Sequence, residues 1–157
     1  MTPKFCTISG FPSNGKPSKD EDIVKMSIGS QIIKLYRQGY KDFVCNCELG
    51  VALWAAELIA GLKTVLPIRL NIAVPHETQA AGWQDFWHEI YYELHEKADA
   101  VLFVNKQFRA GCYDECDRFM LDNSDVLLYV GSEPAYITDY AAQTNKPVIF
   151  LENAARL

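Results

Sequence analysis

Six short apolar runs, Phe5 to Ser9, Asp42 to Asn46, Ile68 to Val74, Ala100 to Asn105, Val126 to Val130 and Val148 to Leu151, are separated by stretches with helical spacing. Strand and helix alternating from end to end call for right-handed crossovers, and crossovers give a parallel sheet with helices on both faces. Several runs are apolar almost throughout, as strands covered on two faces are, whereas Ile68, Leu70, Ile72 and Val74 alternate with polar neighbours or small ones. The expected fold is α/β: a doubly wound, mostly parallel six-stranded sheet of the Rossmann-like kind, with the alternating strand less protected than the rest.

The first helical stretch opens at Ser18-Lys19-Asp20-Glu21, a capping-box pattern, and runs to about Gln38, where Gly39 is placed to stop it. The second sets Val51, Trp54, Ala55, Leu58 and Leu62 on one stripe and leaves Glu57 on the far side. The third, about Trp83 to Lys97, repeats the pattern with Trp83, Phe86, Trp87, Ile90, Tyr91 and Leu94. On such a continuous stripe Trp83 is expected to pack in the core, although a ring following a polar loop could also stack on a base. Shorter helices are expected over Tyr113 to Asn123 and Pro134 to Thr144, with Pro134 in a first turn. With 157 residues, 49% of them apolar, and no repeat or linker, residues 1–157 read as a single domain.

The formal net charge of -5 repels phosphate backbones, and the 15 Lys and Arg are scattered, so nucleic acid is not expected as a main partner. No stretch approaches the roughly 18 to 20 apolar residues of a membrane span, and the first residues lack the apolar core of a signal peptide, which places the protein in the cytoplasm with no membrane partner. Cys6 and Cys45 sit in apolar runs and read as reduced core thiols. Cys112 and Cys116, with His88 and His95 elsewhere, lack the paired spacing of a zinc site, so no metal is expected. No Gly-x-Ser-x-Gly elbow and no Gly-x-Gly-x-x-Gly turn occurs, so neither triad hydrolysis nor an NAD or FAD cofactor is expected.

In doubly wound sheets ligands gather beyond the carboxyl ends of the strands. The loops selected are Ser9 to Gly15, Asn46 to Gly50, Pro75 to Gln79, Asn105-Lys106 and Gly131 to Glu133. The residues expected to bind are Ser9, Gly10, Phe11, Asn46, Glu48, Gly50, Arg118, Gly131 and Ser132. Gly50 lets a backbone come close above the second helix, and the helix dipole favours negative charge there. A carboxylate at Glu48 then either accepts hydrogen bonds from ribose or base, or caps the helix. Arg118 either pairs with Asp122 one turn on, or meets an anion. Glu57 is either solvated or paired with a basic group. Lys16 and Arg109 read as solvated loop residues.

Leu49-Gly50-Val51-Ala52-Leu53-Trp54-Ala55-Ala56-Glu57, then Pro75-His76-Glu77-Thr78-Gln79 with Trp83, then Arg118-Phe119-Met120-Leu121-Asp122-Asn123-Ser124-Asp125, resembles the YpsA-like branch of the SLOG superfamily. The resemblance implies a Rossmann-like fold related to the Lonely Guy enzymes and to the DNA-processing protein DprA, bacterial origin, and a nucleotide or nucleotide-derived ligand. It also implies a role in cell division or stress for some members. Two departures stand out. Where many relatives have a Thr-Gly-His-Arg type turn after the first strand, this chain has Ser9-Gly10-Phe11-Pro12. Where the enzymatic branch has a Pro-Gly-Gly-x-Gly-Thr loop and a glutamate, it has Gly131-Ser132-Glu133-Pro134-Ala135. Both remove groups that would hold a phosphate.

The leading expectation is a binding protein for a nucleotide-like small molecule, a sensor or regulator acting through a protein partner without chemistry of its own. The alternatives are a hydrolase of nucleotide N-glycosidic bonds using Glu48, Glu57 or Glu133, and an interaction protein with a vestigial pocket. A homo-oligomer is left open.

Overall fold

A computed structural model describes residues 2–15 and 19–152. The chain runs β1 (Lys4–Gly10), α1 (Glu21–Arg37), β2 (Tyr40–Cys45), α2 (Val51–Leu62), β3 (Arg69–Val74), α3 (Asp85–Lys97), β4 (Ala100–Phe103), α4 (Cys112–Asp122), β5 (Val126–Val130), α5 (Tyr136–Gln143) and β6 (Val148–Leu151). The strands form one sheet in the order β4-β3-β2-β1-β5-β6, and every ladder is parallel. From β1 the chain steps outward through β2, β3 and β4, then returns to place β5 on the other side of β1. The order in which strands are added therefore reverses between β1 and β5.

One face carries α1, α2 and α3 over a core that includes Ile8, Phe43, Leu70 and Leu128. The other carries α4 and α5 over Val44, Ala73, Leu127 and Tyr129. The middle strands thus bury both faces, which is why β5 is apolar at every position. The less protected strand is not β3, as its alternation suggested, but the edge strand β4, where Leu102 and Phe103 are exposed. In β3, Leu70, Ile72 and Val74 lie under the three-helix layer, and the alternating Asn71 satisfies its amide on Asp42 and the Phe43 carbonyl.

Helix boundaries follow local chemistry. Gly39, at φ +100°, ends α1, and its N–H donates to the Tyr36 carbonyl at 3.0 Å. Ser18, the expected capping residue of α1, lies outside the described residues, as does Lys16. The third helix begins at Asp85, so Trp83 belongs to the preceding turn; its ring still packs edge-on against buried Tyr91 at 5.1 Å. Phe86 departs from the expected stripe and is exposed, because in the first turn it is Trp87 that points inward, its indole N–H donating to the Gly15 carbonyl at 3.1 Å. Pro134 precedes α5 rather than entering it; Ala135 is the N-cap, and Thr138 Oγ1 accepts the Ala135 N–H at 2.9 Å.

Candidate functional site

At the reversal point the carboxyl ends of β1 and β5 lie side by side, with Gly10 opposite Val130. The chain leaving β1 crosses directly over the start of α2. Phe11 N–H donates to the Val130 carbonyl at 3.1 Å, the Phe11 carbonyl accepts Val51 N–H at 3.2 Å, and Ser13 N–H donates to the Leu49 carbonyl at 2.9 Å. Both glycines of this crossing are explained by it. A Cβ on Gly10 would lie 2.4 Å from the Val130 carbonyl oxygen, and one on Gly50, at φ +112°, would lie 2.6 Å from that of Phe11. The space above α2 is thus filled by the chain's own loop, and the Phe11 ring meets Trp54 edge-on at 5.7 Å.

The turn from 46 to 48 faces the α4 side. Asn46 is buried; its side-chain oxygen accepts Glu48 N–H at 2.9 Å, and Cys47 turns the chain at φ +57°. The Glu48 carboxylate does not cap α2, whose N-cap Gly50 has no side-chain cap; it is the Glu48 carbonyl that accepts Leu53 N–H, at 3.0 Å. The carboxyl itself is half-buried, and burial raises its pKa, opposed by a hydrogen bond from Asn46. Behind this turn Gln79 donates to the Asn46 carbonyl at 3.0 Å and accepts Tyr91 O–H at 2.8 Å. His76 touches Thr78 Oγ1 at 3.2 Å and meets the ring of Tyr113 edge-on at 5.9 Å.

Asp117, on α4, is the group that sequence reading missed. Burial, and then the negative charges of Asp114 and Glu48, push its carboxyl up to about 7, with Arg118 pulling the other way. Its position after Cys116, in a segment rich in acids, reads as a solvated face; only the fold brings it near Glu48. Tyr113 is held up at about 12 by burial and by Glu48, and Tyr129 is raised by burial and by the charges of Asp117 and Glu133. Glu48 thus acts on Asp117 and Tyr113, while Asp117 and Glu133 act on Tyr129.

Beside it the loop after β5 borders a cavity of about 330 Å³ between Gly131, Ser132, Glu133, Thr138, Asp139 and Phe150. Gly131 takes φ +152°, and a Cβ there would press on the Tyr129 ring at 3.2 Å. The expected residues therefore fall into three groups. Gly10, Phe11 and Gly50 build the crossing, with Ser9 before them paired to Tyr129 in the ladder; Asn46 and Glu48 form the turn after β2; Gly131 and Ser132 line the cavity. Arg118 belongs to none of them. Its guanidinium donates to Tyr136 O–H at 2.6 Å, and Asp122 instead accepts Tyr140 O–H at 2.7 Å, so the expected Arg118–Asp122 pair does not form. The flank of α4 meets the two stacked tyrosines of α5, and each charge bonds one of the two hydroxyls. Glu57 lies at the other end of the sheet, in a groove between α2 and α3.

Among the described residues no three or more His, Cys, Asp or Glu gather to hold a metal, and no helix is long and apolar enough to cross a membrane.

The YpsA family model, described as the YspA SLOG family, matches residues 15–148. A UPF0398 protein of Listeria monocytogenes is 31% identical over 144 residues, covering 83% of this chain and 77% of that protein. A UPF0398 protein of Oceanobacillus iheyensis is 28% identical over 137 residues, covering 83% and 74%. Among solved structures, DNA processing protein A from Helicobacter pylori, described by its single-stranded DNA binding mode, superposes with a TM-score of 0.63 at 17% identity. The match covers 92% of this chain, which spans 64% of the length of that protein. The Moco carrier protein of Chlamydomonas gives 0.56 at 17% identity, covering 99% of this chain and 80% of that one. At these identities the likeness is one of fold. The expectation against nucleic acid draws no support from a neighbour that binds single-stranded DNA.

Proposed function

This chain belongs to the YpsA family of SLOG proteins, and from that premise we propose that it binds a nucleotide-derived small molecule at the carboxyl edge of the sheet, as a sensor or regulator read by a protein partner. The observation that supports this reading is that Asn46 and Glu48 follow β2 and Gly131 and Ser132 follow β5, at the carboxyl ends of the two strands that flank β1, where doubly wound folds bind their ligands. The 330 Å³ cavity is of small-ligand size. Glu48 and Asp117 suit the hydroxyl and N–H donors of a ribose or base better than a phosphate, since carboxylates repel anions. The first N–H of α2 is already taken by Phe11, so a phosphate must be held elsewhere along these loops. A cytoplasmic location belongs to the same proposal and is supported by five free, buried thiols.

A thermal-shift series with AMP, GMP, ATP, NAD and ADP-ribose tests it. A ligand at 100 times its Kd adds about 2.7 kcal/mol, or several degrees for a domain of this size. One compound should give a clear shift that Glu48→Gln abolishes. The absence of any shift leaves the interaction protein with a vestigial pocket as the better reading.

Asp117 favours one second reading, hydrolysis of a nucleotide N-glycosidic bond. A carboxyl held near 7 can give or take a proton at neutral pH, and the charge of Glu48 is one of the groups that hold it there. Free base released from a nucleoside monophosphate, at a rate that falls in Asp117→Asn, is its signature. Ligand binding without base release, in the wild-type chain, sinks it.

A further inference from the structure

The helix α2 links the two ends of the sheet. It starts under the Phe11 crossing and finishes beside the end of α3, where a groove of about 440 Å³ opens between the two helices. That volume is within the range of small-molecule sites. Buried Ala60 and Leu94, with Ile90, give the groove apolar walls; Glu57, Glu93, Lys63 and Lys97 give it charge.

The charges do not balance within the chain. Lys25 pairs with Glu21 at 3.7 Å, Lys97 with Glu93 at 2.8 Å, and Lys63 with Asp99 at 2.8 Å. Lys63 is further fixed by the Lys97 carbonyl at 2.6 Å. Each lysine near the groove thus has its carboxylate. Glu57 is left over: among the described residues it forms no ion pair and accepts no hydrogen bond. It is only half-exposed to water, and burial raises its pKa, with Lys25 and Lys97 acting the other way and Glu21 and Glu93 adding to the rise, neither lysine within ion-pair distance of it. The carboxyl ends of α2 and α3 both converge here, adding partial negative charge from their terminal carbonyls. With Glu93 already held by Lys97 and no group of three or more ligating side chains among the described residues, the groove does not suit a metal ion.

We propose that the groove between α2 and α3 binds a primary ammonium carried on a short aliphatic chain, with Glu57 as its counter-ion and Ala60, Ile90 and Leu94 packed against the chain. The ammonium supplies the close ion pair that Glu57 lacks, and the alkyl stem covers the apolar walls. The groove shares α2 with the carboxyl edge but is lined by the later part of that helix, so it does not rest on the nucleotide reading.

The test is amide-resolved NMR titration of the full chain with pentylamine and 1,5-diaminopentane at pH 7, with 1-pentanol as the neutral analogue. Saturable shifts confined to residues 57–64 and 90–97, with a Kd of about 1 mM or tighter, are expected for the amines and not for the alcohol. In Glu57→Gln, which keeps the side chain's shape, affinity should fall at least about tenfold, the loss of one close charge pair. Absence of saturable shifts in the wild-type chain overturns the proposal. So does undiminished binding by Glu57→Gln with an unchanged melting curve, or equal binding of 1-pentanol.

Discussion

Phe11 occupies the place of a side chain on Gly50: its carbonyl oxygen would lie 2.6 Å from a Cβ there, and it accepts the Val51 N–H at 3.2 Å. The same crossing sets the left-handed backbone of Gly50, at φ +112°. Gly50→Ala must therefore both strain φ and push the β1 loop off α2. A loss of about 2 kcal/mol or more is expected, read as a drop in the urea midpoint with little change in slope. A loss below about 0.5 kcal/mol would mean that the loop lifts away from α2 at no cost, and that the gap is open to ligand after all.

This crossing also marks where sequence reading stopped. The bounds of β5 and β6 are legible because Val126 to Val130 and Val148 to Leu151 are unbroken apolar runs, the first between Asp125 and Gly131 and the second between Pro147 and Glu152. The same reasoning overextends β4 to Asn105, since apolar character alone does not say where a neighbouring strand stops pairing; β3 accompanies it only to Phe103. Gly50 looks like a residue that admits a ligand because its real neighbours, Phe11 to Ser13, are distant in sequence and adjacent only after α2 docks on β1. Arg118 and Asp122 are four apart on one helix, which predicts a pair, but α5 supplies Tyr136 and Tyr140 at the same spacing. Nonlocal contacts of this sort leave no mark in a local pattern.

Asp117 should make stability fall between mildly acid and neutral pH. In the unfolded chain its carboxyl titrates near 3.9, whereas in the fold it titrates at about 7. Below the first value both states hold the proton and nothing is lost. Between the two the unfolded chain releases its proton while the fold keeps it, so the unfolded state gains on the native one until the pH passes about 7, and the deficit then stays constant. Partial screening by water limits this to roughly 1–2 kcal/mol. Urea midpoints at pH 5 and pH 8 measure it: Asp117→Asn should lose less stability across that interval than the wild-type chain. Parallel pH profiles for the two would contradict the assigned titration.

All five cysteines are free and buried; burial pushes the Cys6 thiol up to about 12 and raises Cys116, and Cys47 is raised by its hydrogen bond with Cys45 and then by burial. Thiol reagents act on the thiolate, and a buried thiol in apolar surroundings offers little of it. At pH 7.5 the native chain should react with a chromogenic disulfide only at its opening rate, whereas all five thiols should react at once in 6 M urea. Rapid native reaction of more than one thiol would show that the layer of α4, which holds Cys112 and Cys116, opens far more readily than its packing implies.

Asp42 and Arg69 give the sheet its one buried carboxylate among the described ion pairs. Asp42, on β2, is 3% exposed, while Arg69, at the start of β3, reaches it with Nε and Nη2 at 2.7 Å each. The Asn71 amide adds a third donor at 3.3 Å. The register that sets Asp42 opposite Arg69 also fixes the β2–β3 ladder, so this fork ties side-chain chemistry to strand alignment. Removing the guanidinium leaves the carboxylate buried with only the amide, which costs more than the pair contributes. Arg69→Met is therefore expected to lose about 2–3 kcal/mol, and Asp42→Asn in the same chain to recover most of it by removing the stranded charge. Because the carboxylate is buried, the loss should persist in 1 M sodium chloride, where an exposed pair would be screened. If Arg69→Met costs no more than about 1 kcal/mol, or its effect vanishes in salt, the pair acts as a surface contact and the β2–β3 register is held by the apolar residues alone.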